Sequence, residues 1–395
     1  MKRLSLALVL GALLLPSAAR LDADGSFPAR RFRGPAAAPY KSGEVIVKFQ
    51  NAVSQGHEER AILEAGGLRA RQAPYGGHYV VSLDAGVGVE DAVARFRAMP
   101  DVEYAEPNIL FRAAFNPNDN YFRFQWNFEQ IGANRTWDIQ KGQTDVAIAV
   151  IDTGIAYEDF GVYRRAPDWG SRVFLQGHDF VNDDDHANDD DSHGTHVAST
   201  IGEATDNGEG VAGLAFDCAL MPVKVLDNNG NGFLSDVAAG IDYAINFTQN
   251  GTHPVKVINM SLGADSPSET LRRAVERAEA AGIVVVAASG NDGEDGVDYP
   301  AAYPTVIAVG AVDQRKLKTS YSNFGAELDL VAPGGDVEQD ANNDGDPDGI
   351  LQQTFDPFLA ATQGRYDAFA YWYFDGTSQA TPHVSAAAAL LITQG

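Results

Sequence analysis

Asp145-Val146-Ala147-Ile148-Ala149-Val150-Ile151-Asp152-Thr153-Gly154 is the stretch on which the fold turns. Its apolar run, 146–151, has the length of a strand and is too short for a buried helix. A half-solvated strand alternates apolar with polar side chains, whereas one covered on both faces reads as a continuous apolar run. Five more such runs follow, at 222–226, 255–260, 283–288, 306–309 and 328–332, with helical stretches between them. That alternation predicts an α/β domain with a mainly parallel central sheet and helices on both faces. Chemistry in such sheets collects beyond the carboxyl ends of the strands. Asp152 stands there.

Two other segments carry complementary chemistry. Ser192-His193-Gly194-Thr195-His196 opens a helix with an imidazole, and Gly376-Thr377-Ser378-Gln379-Ala380-Thr381-Pro382-His383 opens an uncharged, alanine-rich helix with a hydroxyl. A serine hydroxyl is a weak nucleophile until an imidazole takes its proton, and the imidazole needs a carboxylate to fix its tautomer and stabilise its cation. A fourth segment, Ala287-Ala288-Ser289-Gly290-Asn291, ends an apolar run with an amide able to donate to a developing oxyanion. Each piece alone reads equally well as a turn, a cap or a packed side chain. Their joint order, Asp152, His193, Asn291, Ser378, is what carries weight. An α/β-hydrolase is excluded because the second glycine of its nucleophile elbow is missing and its partners come in another order. His193 and His196 lack a His-Glu-x-x-His arrangement, so a helical zinc pair is not expected and His196 reads as packed or hydrogen-bonded.

On these four motifs, residues 116–395 resemble the subtilisin-like serine proteases, in their thermitase-like branch. The resemblance implies a triad of Asp152, His193 and Ser378 with Asn291 as oxyanion donor, and hydrolysis of polypeptides through an acyl-enzyme. It also implies that Ser261, Leu262 and Gly263 on one side and Gly230, Asn231 and Gly232 on the other sandwich an extended substrate, with Ala287, Ala288 and Leu262 as apolar pocket walls; a turn is the alternative for 230–232. Gln379 stands where the family usually has methionine. Pro382 is expected to be tolerated as part of the first helical turns, and activity to rise from about pH 6 as His193 deprotonates.

The rest of the chain frames this domain. Lys2-Arg3, an apolar run at 4–15 and Ser17-Ala18-Ala19 form an export signal over 1–19; twelve apolar residues are too few to cross about 30 Å of hydrocarbon. A secreted protein without lasting membrane association is expected, with a flexible lead-in at 20–40. In 41–115, strands at 43–49, 78–83 and 102–111 and helices at 54–65 and 89–99 predict a small ferredoxin-like α+β domain. Residues 20–112 carry twelve basic and twelve acidic side chains, against fifteen and forty-two in 113–395, a composition break that places the domain boundary near 112–118. Residues 41–112 resemble the propeptide that accompanies such proteases, which implies an intramolecular inhibitor and chaperone removed by self-cleavage within 112–118, and a monomeric product.

The 395 residues carry a net charge of −25, which disfavours nucleic acid as a partner. Cys218 is the single cysteine, so neither an internal disulfide nor a cysteine-ligated zinc is available. Calcium is the expected cofactor, because hard cations take clustered oxygens. By resemblance, Asp179, Asp184 and Asn188 match one calcium loop, and Asp119, Asp168 and Asn207 a tighter one. Asp340, Asn342 and Asp344 follow the EF-hand spacing, with Leu351 where a bidentate glutamate would stand. The aromatics Phe369, Tyr371, Trp372, Tyr373 and Phe374 are expected to pack this insertion beside the active site. Family members continue for several tens of residues beyond the point where this sequence stops, so the expectation is a fragment; the competing reading is a calcium-binding homologue without turnover.

Overall fold

The computed structural model describes residues 40–111 and 115–395. The expected leader at 1–19, nearly all of the lead-in and residues 112–114 of the expected cleavage stretch lie outside the described residues. The chain divides into two compact units that part near residue 113.

The first unit runs β1 (Tyr40–Phe49), α1 (Gln55–Glu64), β2 (Gly67–Gln72), β3 (Tyr79–Leu83), α2 (Val89–Arg97) and β4 (Val102–Ile109). Its strands form an antiparallel sheet in the order β2-β3-β1-β4, the ferredoxin-like arrangement. Val45, Val47 and Phe49 alternate inward from β1 onto Ile62 of α1 and Val93 and Phe96 of α2. β2 escaped the sequence reading. It is an edge strand whose Leu68 is exposed and whose neighbours include two arginines, so no apolar alternation announces it.

The second unit begins with two short helices, α3 (Trp126–Ile131) and α4 (Ala133–Trp137), and then alternates: β5 (Ala147–Asp152), β6 (His178–Asp179), α5 (His193–Gly202), β7 (Ala219–Lys224), α6 (Leu234–Asn246), β8 (Val255–Met260), α7 (Glu269–Ala280), β9 (Val284–Ala288), β10 (Val306–Val312) and β11 (Leu330–Pro333). Seven strands pair in the order β11-β10-β9-β8-β5-β7-β6, each pairing parallel. Along β5, Ile148 and Val150 face a core shared with α5, while Ala147, Ala149 and Ile151 face one shared with α6 and α7. Both faces are covered, which is why the run does not alternate. β7 begins at Ala219, earlier than expected. Pro222 lies within it, tolerated because β6 pairs only with Val223 and Lys224.

The last part holds β12 (Ile350–Phe355), α8 (Pro357–Gln363), β13 (Phe369–Phe374) and α9 (Thr377–Gln394). β12 and β13 form an antiparallel pair absent from the sequence reading. Gln352, Gln353 and Thr354 are buried there, so burial and apolarity do not coincide. The long α9 is buried on most sides, as its lack of charge requires. Pro382 is its sixth residue, beyond the four N–H groups that lack helical partners, so the expectation needs correction. The carbonyl that Pro382 cannot reach belongs to Ser378, and it accepts instead from the Ser261 hydroxyl at 2.8 Å.

Candidate active site

Asp152 ends β5, fully buried, and its Oδ1 accepts from the Thr153 amide at 2.8 Å and meets Nδ1 of His193 at 2.7 Å. An ionised carboxylate only accepts, so Nδ1 carries the proton and Nε2 is left as the basic nitrogen. His193 is the first residue of α5 and keeps 26% of its side chain exposed. Close approach of α5 to the turn after β5 requires glycine next to it: a methyl group at Gly194 would stand 2.2 Å from the Gly154 carbonyl oxygen.

What holds that turn in place was not found from sequence. Buried Asp189 accepts from the Thr153 hydroxyl, from the amides of Asp191, Ser192 and Thr195, and from the Thr195 hydroxyl. Buried Lys224, beside Asp152 in the β5–β7 register, donates to the carbonyls of Thr153 and Leu226 and to Asp190. The available signal was the run Asp189-Asp190-Asp191 ahead of His193. Its charge has a consequence at the imidazole. Burial alone would lower the His193 pKa, but Asp152, Asp191 and Asp189 outweigh it and lift it to about 9. The carboxylates around His193 thus favour its protonated form relative to an isolated imidazole.

Ser378, the second residue of α9, points its hydroxyl at the Ser261 carbonyl, 3.0 Å away, rather than at His193. Both residues nevertheless line one hollow of about 430 Å³, with Asn291, Val337, Tyr373, Phe374, Asp375 and Gln379. A Ser378–His193 contact requires the Ser378 hydroxyl to leave the Ser261 carbonyl, and unliganded sites often have such bonds unmade. Asn291 Oδ1 accepts from the Thr377 amide and hydroxyl, each at 2.9 Å, which leaves its NH2 group to donate. His196 is buried, donates to the carbonyls of Ile350 and Trp372 and stacks on Phe374. Burial lowers its pKa to about 3. It is a neutral pin holding the β12–β13 pair against α5.

A groove of about 630 Å³ runs away from His193 between Gly230, Asn231 and Gly232 on one side and Ser261, Leu262 and Gly263 on the other. Residues 261–263 continue β8 beyond its last pairing. Residues 230–232 are not a strand; the chain closes a turn there, with Asp227 Oδ1 accepting from the amides of Asn229 and Asn231.

The three expected cation sites differ in build. Asp119 and Asp168 are buried and converge with Asn207 on the 206–211 loop: Asp119 accepts from the Asp206 amide at 2.8 Å and Asp168 from the Asn207 side chain at 2.7 Å. Burial, then Asp119 and Glu209, push Asp168 up to about 6; the oxygen donors of Asp119, Asp168 and Asn207 are of the kind a hard cation takes. In the second loop Asp179 is turned inward onto Val181 and Asn182, Asp184 onto His186, and the buried side-chain oxygen of Asn188 has no hydrogen-bond partner among the described residues. Asn188 also donates to Glu158, which sequence reading had not included. Asp340, Asn342 and Asp344 come together on an exposed turn and bond mainly to one another. Among the described residues no group of three or more His, Cys, Asp or Glu side chains is gathered closely enough to hold a metal by itself.

Residues 143–394 match the Subtilase family, and residues 27–108 match the Fervidolysin N-terminal prodomain. The chain belongs to the subtilase family. The thermophilic serine proteinase of Bacillus sp. (strain AK1) is 39% identical over 357 residues, spanning 90% of this chain and 79% of that protein. Thermitase of Thermoactinomyces vulgaris is 36% identical over 71% of this chain and 87% of its own length. A solved protease structure from Pseudoalteromonas arctica shares 33% identity with a TM-score of 0.61, covering 70% of this chain and 87% of that one. This subtilase is thus a serine endopeptidase carrying an N-terminal prodomain, with the mainly parallel sheet expected from its sequence. Among the described residues no helix is long and apolar enough to cross a membrane.

Proposed function

We propose that this subtilase is exported and hydrolyses polypeptides through Asp152, His193 and Ser378, with Asn291 and the Ser378 amide holding the oxyanion. The observation that carries this reading is the 2.7 Å contact of His193 with Asp152, in a hollow that also presents Ser378 and the free amide of Asn291. In the mechanism, Ser378 turns from Ser261, neutral His193 takes its proton as the oxygen attacks the substrate carbonyl, and His193 then protonates the leaving amine. Water repeats the cycle on the acyl-enzyme. Substrate lies between residues 230–232 and 261–263, pairing with main chain and thereby accepting many sequences.

The prodomain acts as an intramolecular inhibitor and is removed by self-cleavage within 112–118. A folding role suits it, because parallel strands pair residues distant in sequence and form slowly. Calcium would be held by Asp119, Asp168 and Asn207, by Asp184 and Asn188 with Asp179, and at the exposed turn by Asp340, Asn342 and Asp344. Bound there it would cross-link loops in a chain with one cysteine. Ser378→Ala is expected to abolish self-processing, casein hydrolysis and labelling by a fluorophosphonate. Undiminished hydrolysis by that variant refutes the assignment, and an unlabelled wild-type serine favours the homologue without turnover.

A further inference from the structure

Asp298 was not singled out from sequence, yet its carboxylate occupies a decisive place. A methyl group built on Gly290 would stand 2.5 Å from its Oδ2, and one built on Gly263 3.4 Å from the same oxygen. Gly290 precedes Asn291, and Gly263 belongs to the extended segment lining the groove. The carboxylate therefore sits between the segment that would pair with substrate main chain and the one that would hold its oxyanion. Asp298 is partly buried, and no hydrogen bond or ion pair to its carboxylate is found among the described residues. Its charged neighbours, Asp265 and Asp292, are acidic and, after burial itself, push its pKa further up. The Asn323 side-chain nitrogen also faces Gly290, 2.3 Å from the same built methyl group.

The substrate's path fixes which side chain meets this carboxylate. On the proposed mechanism, with the reacting carbonyl at Asn291 and Ser378 and the preceding main chain along 261–263, the side chain of the residue supplying that carbonyl is directed between Gly263 and Gly290, where the Asp298 carboxylate stands. Leu262 lines the groove with apolar surface, buried Ala288 ends β9 two residues before Gly290, and the Asp298 carboxylate stands against both Gly263 and Gly290. A long aliphatic stem ending in a cation matches both features, since lysine and arginine bury their stems while keeping the charged head paired. We propose that Asp298 is a specificity-determining residue that makes this subtilase cleave after arginine and lysine. The inference rests on the proteolytic reading above and adds the substrate class to it.

The test is a peptide series differing only in the residue before the scissile bond: Arg, Lys, Met, Leu or Glu. With the full chain, kcat/KM for Arg and Lys should exceed that for Met by about tenfold or more, with Glu the poorest, as expected when a cation meets an otherwise unpaired carboxylate. Asp298→Asn, which preserves shape, should reduce the Arg-to-Met ratio about tenfold, and Asp298→Lys should favour Glu. Each ratio is taken on one preparation, so the folded fraction cancels. Product peptides ending in a free Arg or Met carboxylate, which cannot be cleaved, should bind the wild-type chain freed of its prodomain with Arg the tighter in calorimetry, and this decides the inference independently of turnover. A wild-type preference for Leu or Met, a ratio unchanged by Asp298→Asn, or equal binding of the two product peptides by the prodomain-free chain would overturn it. A serine that resists fluorophosphonate while Arg still binds best would sink only the catalytic reading.

Discussion

Replacing Ser261 with alanine should expose how α9 accommodates its proline. Pro382 has no N–H for the Ser378 carbonyl four residues earlier, and the Ser261 hydroxyl donates to that carbonyl at 2.8 Å. Ser261 is itself buried at the border of the groove. Leaving a buried carbonyl unpaired costs about 1–3 kcal/mol. For a domain of this size each kcal/mol lowers the melting temperature by about 2–4 °C, so Ser261→Ala should melt about 2–12 °C lower in calorimetry. Measurements in a Ser378→Ala background avoid self-digestion and leave the main-chain carbonyl intact. The same hydroxyl accepts from Asn259 at 3.1 Å, a loss that is common to any background. Pro382→Ala restores the missing N–H, so in that background Ser261→Ala should cost at least about 1 kcal/mol less. Equal costs in the two backgrounds, within the roughly 0.5 kcal/mol expected of independent sites, would refute the reasoning.

Two further outcomes follow from the charges around the site. Because His193 must be neutral to accept a proton and the surrounding carboxylates raise its pKa to about 9, kcat/KM should climb through that pH. Asp191, held up to about 6 by burial and by Asp189, is ionised there, so Asp191→Asn removes a negative charge, favours the neutral ring and should shift the limb of the profile to lower pH; an unmoved limb counts against the electrostatic account. Chelation by EDTA should lower the melting temperature, and calcium at about a hundred times its dissociation constant should restore about 2.7 kcal/mol per site. An Asp168→Asn variant should lose part of that response; melting indifferent to EDTA would remove calcium from the reading.

Much of this protein was legible from neighbours along the chain. Continuous apolar runs such as 146–151 announced a sheet covered on both faces, because burial on two sides leaves no polar positions. The order Asp152, His193, Asn291, Ser378 was visible because each residue stands at or shortly past the end of a strand or at a helix start. Polar residues in buried strands, as in Gln352 and Gln353 of β12, hid the β12–β13 pair from the same reading, and exposed arginines hid β2.

Tertiary structure alone decided the partnerships. The Asp189 web, the Lys224 prop, the Ser261–Ser378 exchange and the position of Asp298 between Gly263 and Gly290 join residues far apart in sequence, 117 positions in the case of Ser261 and Ser378. Periodicity and caps are set by atoms a few bonds or one helical turn away, so a sequence displays them. The pKa of His193 and the charge at the floor of the cleft depend on which distant carboxylates the packed sheet brings within a few ångströms, and only the folded chain sets those distances.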